Sequence, residues 1–387
     1  MNFFYIILIF ILLNNCSFDT RSGIWSEGND FKKNTKNTFD VFKTLSSSEN
    51  TFDKVIEKNK NVNFDLPSQV FNKNWSDIYF SKSNNLQNFM YDNLNKQVYK
   101  GKKISRNNIE NLILKKKDNI ITTDLKGNLI IFSLEENKVK TIFNFYQKKY
   151  KNINKILNII ADGEIIYVSD NLGYLYSYNY QTQQILWAQN YKIPFRSNLK
   201  IFDNKLVAAN QNNSLFFFDK FSGDTIKLIP TEETTIKNQF INNLSLSIKN
   251  LFFLNTYGSL YSINLENLRI NWVVNLNRSI DLNSNNLFSG NEVVHYKDKI
   301  IISSKEFTYV LDEGTGGVLF KKNFKPILKP IIVDNYLFLI TENNLIISID
   351  LSDNKIIYSY DINTKISDFL SIKKKQVYFK SFSILNN

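Results

Sequence analysis

The side chains able to do covalent chemistry are few in this sequence, and they do not combine. There is one histidine, His295, between Val294 and Tyr296 at the entry to an apparent strand. Nucleophilic catalysis of the Ser-His-Asp kind needs a histidine held between a nucleophile and a carboxylate. A lone histidine at a strand entry reads instead as structural or exposed. Adjacent carboxylates occur at Glu135-Glu136 and Glu232-Glu233, in turn-like stretches where they face solvent. The single cysteine, Cys16, excludes a disulfide within the chain and a cysteine-based zinc site. The expectation is therefore no catalytic residue, no metal ligand and no cofactor.

Cys16 has a different chemistry open to it. Residues 3–13 form an unbroken apolar run, too short for a bilayer span of about 20 residues and right for an export signal. The run ends at Leu13-Asn14-Asn15-Cys16, which resembles a bacterial lipobox. That resemblance implies cleavage before Cys16 and lipid on its sulfur, although Asn15 stands where the motif has a small residue. Ser17 after the cysteine implies, by resemblance to enterobacterial sorting, passage to the outer membrane. Residues 1–15 thus read as a signal peptide. Residues 16–63 read as a lipid-anchored tether, polar and without period, with a short helix near 40–45.

Charge adds little. The 387 residues carry 48 Lys+Arg against 36 Asp+Glu, a formal +12. The basic residues are dispersed: Lys148-Lys149, Lys321-Lys322 and Lys373-Lys374-Lys375 lie far apart. No basic, aromatic-lined groove for nucleic acid emerges. The surface is one that tolerates anionic lipid nearby.

The elements that hold these residues repeat. Residues 118–142, 162–187, 203–228, 249–272, 298–320 and 334–358 each give an apolar strand, a turn, a second strand, an Asp or Asn, and a third strand. The first turn falls at Gly127, Gly173, Asn213, Gly258 or Asn343, and the later polar residue at Asn179, Asp219, Asn264, Asp312 or Asp350. Trp187, Trp272, Phe320 and Tyr358 close third strands. One more short strand precedes each unit, as at residues 156–160 and 328–333. Four strands at this period predict an all-β fold, a β-propeller of four-stranded antiparallel blades over residues 64–387. Gly and Asn supply positive φ, the Asp or Asn caps the next turn, and the aromatics wedge between blades. Six units are complete. A seventh would run through residues 365–372 and 374–382, leaving a last blade incomplete where seven or eight are expected. Either strands within 64–80, with residues 71–75 as a lone outer strand, complete the ring, or the ring is open.

The unit resembles the repeat of pyrroloquinoline-quinone-type (PQQ-like) propellers, best at Gly173-Tyr174-Leu175, Gly258-Ser259-Leu260 and Thr315-Gly316. Enzymes of that class use quinone, calcium and often an adjacent-cysteine disulfide, which one cysteine cannot form. Repeat and lipobox together resemble the BamB-type lipoproteins of outer-membrane β-barrel assembly, over residues 65–387 plus Cys16. This resemblance implies a non-catalytic scaffold, lipid-anchored on the periplasmic face and monomeric within a complex. Its implied partners are a BamA-like barrel-assembling subunit and nascent outer-membrane proteins. It also implies a docking loop at residues 191–197, with Ile193, Phe195 and Arg196 as exposed anchors. A second docking loop falls at residues 238–243, where Asn242 and Asn243 stand in place of acidic residues and Glu232 and Glu233 lie upstream. Alternatives are a PQQ-dependent dehydrogenase-like protein and a surface propeller that binds sugar or peptide.

Overall fold

The computed structural model describes residues 16–18, 25–27, 51–58, 64, 66–71, 74–91, 103–109, 112–146, 149–234, 242–277, 287–288, 290–371 and 378–385. The chain divides into two units, Met1–Glu49 and Asn50–Asn387. In the first, Cys16–Phe18 pairs antiparallel with Trp25–Glu27. The export signal at 3–13 and the helix expected near 40–45 lie outside the described residues.

In the second unit the repeat becomes six four-stranded antiparallel sheets among the described residues. We number them blades 1–6. Their first strands are Leu114–Lys116, Leu157–Asp162, Lys200–Phe202, Asn243–Leu246, Val294–Tyr296 and Ile331–Val333. Their fourth strands are Lys138–Asn144, Gln184–Asn190, Thr225–Ile229, Ile270–Asn275, Val318–Lys322 and Lys355–Asp361. First strands of successive blades touch at several places around the ring and are largely buried, whereas fourth strands alternate with exposed positions. First strands therefore line the axis and fourth strands form the rim. Five apolar clusters each span one pair of consecutive blades, from blades 1 and 2 to blades 5 and 6. Blades 2 to 5 thus hide both faces in their neighbours, and blades 1 and 6 hide one face each in this way, which a lone sheet cannot do.

Local chemistry explains the turns. The side-chain Oδ1 of Asp124, Asp170, Asn210 and Asn255 accepts the N–H groups two and four residues on. The residues expected to cap the later turn do so: Asn179, Asp219 and Asn264 each accept two following N–H groups. In blade 6 the left-handed residue is Asn344, at φ 60°, rather than Asn343. Trp187 and Trp272 donate their indole N–H to Lys220 O and Glu313 O, in the next blade's last turn. Gly316 makes room for this, since a Cβ there would lie 2.7 Å from Trp272 Cε3 at φ 72°. Gly163 also has positive φ, 58°, but nothing within 4 Å of a Cβ. Gly163→Ala should cost about 1 kcal/mol for backbone conformation alone. Gly316→Ala should cost a further 1–3 kcal/mol, roughly, for overpacking. Paired denaturant unfolding of the two variants measures the difference.

Blades 6 and 1 are bridged by irregular chain. Phe64 packs edge-on against Tyr336 and Tyr358 of blade 6, and Phe52 against Phe324. Ile56 pairs with Ser359 on the rim strand, so the packed body starts upstream of the boundary at 64 drawn from the sequence. Val70 pairs with Phe89, and Asn88–Phe89 pairs in parallel with Ile384–Leu385. The stretch expected to open a seventh blade at 365–372 is instead a helix, Ile362–Leu370. Asp361 caps it, its side chain accepting from the Asn363 and Thr364 N–H groups, an N-cap preference that outweighs the strand pattern.

Candidate partner-binding loops and the axial segment

Residues 191–197 leave the rim of blade 2 and return to the axis to start blade 3. Their backbone is tied down at each step. Tyr191 N donates to Gly173 O, Phe195 N to Asp170 O, and Arg196 N to Ala209 O, at 2.8, 2.9 and 3.0 Å. The loop crosses directly over Gly173, where a Cβ would lie 2.9 Å from the backbone of residues 192 and 193.

This geometry corrects part of the expected docking surface. Phe195 is only 2% exposed. It packs edge-on against Tyr191 and Phe218, 5.8 and 6.1 Å between ring centroids, so it anchors the loop inward and offers nothing to a partner. Asn242 and Asn243 are also buried. Asn242 donates its backbone N–H to Arg196 O and its amide to Asn210 O, 2.8 and 2.9 Å. Asn243 belongs to the first strand of blade 4, opposite Leu254. The Asn242 amide thus satisfies a backbone carbonyl of blade 3. What the loop presents is Lys192, exposed, with Ile193, Pro194 and Arg196 half-exposed. Burial pulls the Arg196 guanidinium somewhat below its ordinary range. Glu232 and Glu233 are exposed nearby in sequence, and Glu232 accepts from Ser259 and Asn255. Residues 238–241 lie outside the described residues.

His295 is a structural pin. Its Nε2 lies 2.9 Å from Glu313 Oε2, and its ring stacks on Phe252 at 5.4 Å. Glu313 Oε1 accepts from Ser247 Oγ and Asn250 Nδ2, at 2.6 and 2.9 Å. Ser247 therefore spends its hydroxyl on the carboxylate and makes no nucleophile–base pair with the histidine.

Sequence reading missed the feature that organises the axis. Residues 75–85 thread past the first strands in blade order. Trp75 exchanges two backbone bonds with Lys115 in blade 1, and Ser76 O accepts from Ala161 in blade 2. Lys200 Nζ of blade 3 reaches Asp77 Oδ2 at 2.7 Å and Asn84 Oδ1 at 2.5 Å. Leu246 N of blade 4 donates to Lys82 O, and His295 N of blade 5 to Ser83 O. Asn85 exchanges both amide bonds with the Ile332 backbone of blade 6, at 2.7 and 3.1 Å. Trp75, expected in a lone outer strand, instead pairs at the axis with the first strand of blade 1; residues 72 and 73 lie outside the described residues. Lys200 is fully buried. Burial pulls its ammonium below the usual lysine range, and Asp77 opposes that pull. Lys329 donates to Asn84 O at 2.7 Å, and burial pulls it down to about 8. In the sequence, only the density of Asn and Asp in residues 77–85 hinted at backbone-satisfying work. Among the described residues no three His, Cys, Asp or Glu side chains converge as a metal site, and no helix is long and apolar enough to cross a membrane.

The family model for outer membrane protein assembly factor BamB matches residues 100–360, which takes in all six blades. The chain belongs to the BamB family. Among solved structures it is similar to BamB from Moraxella catarrhalis, with a TM-score of 0.54 and 11% identity over 64% of this chain and 74% of that one. At that identity the likeness shows the propeller fold alone. The computationally designed Ika8 protein gives a TM-score of 0.44 and 9% identity over 64% of this chain and 86% of that one, which carries no further argument. No match was found among curated proteins. Family membership agrees with the resemblance read from the repeat, and with the all-β propeller.

Proposed function

We propose that the chain is a non-catalytic lipoprotein scaffold of outer-membrane β-barrel assembly, held by lipid on Cys16 at the periplasmic face of the outer membrane. The observation that carries this reading is the family match across the whole set of blades. It binds a BamA-like barrel-assembling subunit through the half-exposed Ile193 and Arg196, and so aids folding and insertion of nascent outer-membrane proteins. The axial segment supports a scaffold over an enzyme. In a propeller the central channel is the natural ligand pocket, and here residues 75–85 take that place. Affinity purification of the full chain from native outer membrane tests the reading. A β-barrel assembly subunit is expected to co-purify, and its absence under mild detergent, with the chain itself intact, sinks the proposal. Globomycin-sensitive incorporation of labelled palmitate, abolished in Cys16→Ser, tests the anchor separately.

A further inference from the structure

Lys155 opens the approach to blade 2, and only 3% of its surface is exposed. It is one of the residues lining a small surface pocket. The ammonium donates to Tyr150 O and sits 5.4 Å from the centre of the Tyr146 ring. Gly127 permits this closeness, since a Cβ there would overlap Tyr146 and come within 3.3 Å of Lys155 Cγ. The backbone fixes the residue too, Lys155 N donating to Leu125 O at 3.0 Å.

What is missing is a counter-charge. Among the described residues no carboxylate pairs with Lys155. Two carboxylates of blades 1 and 2 are already engaged. Asp124 accepts from the backbone of Lys126 and Asn128 and from Ser105, Asn107 and Asn128 side chains. Asp170 accepts from the Leu172 and Tyr174 N–H groups and the Tyr146 hydroxyl. Lys126, Lys149 and Lys151, all exposed, line the same pocket with Asn144 and Tyr146. Burial and the neighbouring Lys126 both push the Lys155 ammonium below its ordinary range. A covered cation without a counter-charge is costly, and here other lysines line the same pocket.

We propose that this pocket binds a phosphate group, held by Lys155 together with Lys126, Lys149 and Lys151. Four lysines, one from the turn after the second strand of blade 1 and three from the connection between blades 1 and 2, line a space of about 290 Å³. Lysines act on phosphate as point charges, and a compact, multiply charged group with several acceptor oxygens satisfies all four together. A phospholipid headgroup and a free phosphate ester share this chemistry. The proposal stands apart from the assembly role, since it uses none of the docking-loop residues.

The test uses the full chain. Calorimetric titration with inorganic phosphate and with glycerol phosphate reads the free ligand. Flotation with phosphatidylglycerol-containing and purely phosphatidylcholine vesicles reads the headgroup, and the ratio of the two vesicle affinities cancels any contribution from an anchor. Binding in the first arm assigns a free ester, and binding only in the second assigns a headgroup. In whichever arm binds, Lys126→Ala/Lys149→Ala/Lys151→Ala should lose about a hundredfold. Lys155→Met, which keeps the stem, should lose about tenfold or more by itself. A control triple, Lys249→Ala/Lys322→Ala/Lys355→Ala, removes exposed lysines elsewhere. No binding in either arm overturns the proposal, as does an equal loss in the control or wild-type affinity in the pocket triple. The pocket triple lies on the surface, so it decides the matter even if Lys155→Met fails to fold.

Discussion

Asp77→Ala is expected to lower the stability of the propeller by about 3–5 kcal/mol, the usual consequence of stranding one partner of a buried ion pair. Lys200 has no exposed surface, and its ammonium lies 2.7 Å from Asp77. With the carboxylate gone, the charge keeps only Asn84 Oδ1 and Ser81 O as acceptors. The double variant Asp77→Leu/Lys200→Met should recover most of the loss, because apolar residues of similar volume replace buried ion pairs at little cost. Recovery stays short of complete by about 1 kcal/mol, since Asn84 Oδ1 then lacks its donor. Denaturant unfolding of the three variants decides the matter. If Asp77→Ala unfolds at the same denaturant concentration as the parent, the axial ion pair does not hold the ring.

The second large effect separates packing from docking within one loop. Phe195→Ala should destabilise by about 3–5 kcal/mol, as truncation of a buried aromatic does. Ile193→Asp, two residues away and half-exposed, should change stability by no more than about 0.5 kcal/mol. If the loop docks as proposed, Ile193→Asp and Arg196→Ala each weaken capture of the barrel-assembling subunit by about 2 kcal/mol or more, near thirtyfold. The measurement is a pull-down from membranes alongside a thermal melt of each variant. Undiminished capture by both folded variants would falsify this loop as the contact.

The blades were readable because their pattern is local. Period-two apolar strands, Asx turns and a closing aromatic all act within about ten residues, so Asp219 capping its turn and Trp272 wedging into the next blade follow from spacing alone. The helix Ile362–Leu370 was also within reach. Asp361-Ile362-Asn363-Thr364 carries a capping signal, whereas the apolar spacing that follows it fits a strand equally well. Two features lay beyond local pattern. Phe195 beside Pro194 and Arg196 looks like an exposed anchor, and only the arrival of Phe218 from another blade shows which way it turns. Asp77, Asn84 and Asn85 look like ordinary loop residues, because their partners across the axis are 116 to 247 positions away. The buried asparagines 242 and 243 were misplaced for the same reason.

Those long separations bear on the order in which the molecule can be assembled. The axial residues leave the ribosome before any blade exists, yet Asn85 finds its partner only when Ile332 has been made, 247 residues later. Each completed blade can satisfy one further portion of the thread, and the last portion waits for the sixth. Closing contacts over such distances carries a loop entropy that must be met before the contacts repay it. Between those moments the polar thread stays solvated and the apolar faces of the newest sheet stay open. A chain built this way is exposed to aggregation for most of its folding, and it completes its axis only after its sixth blade has formed.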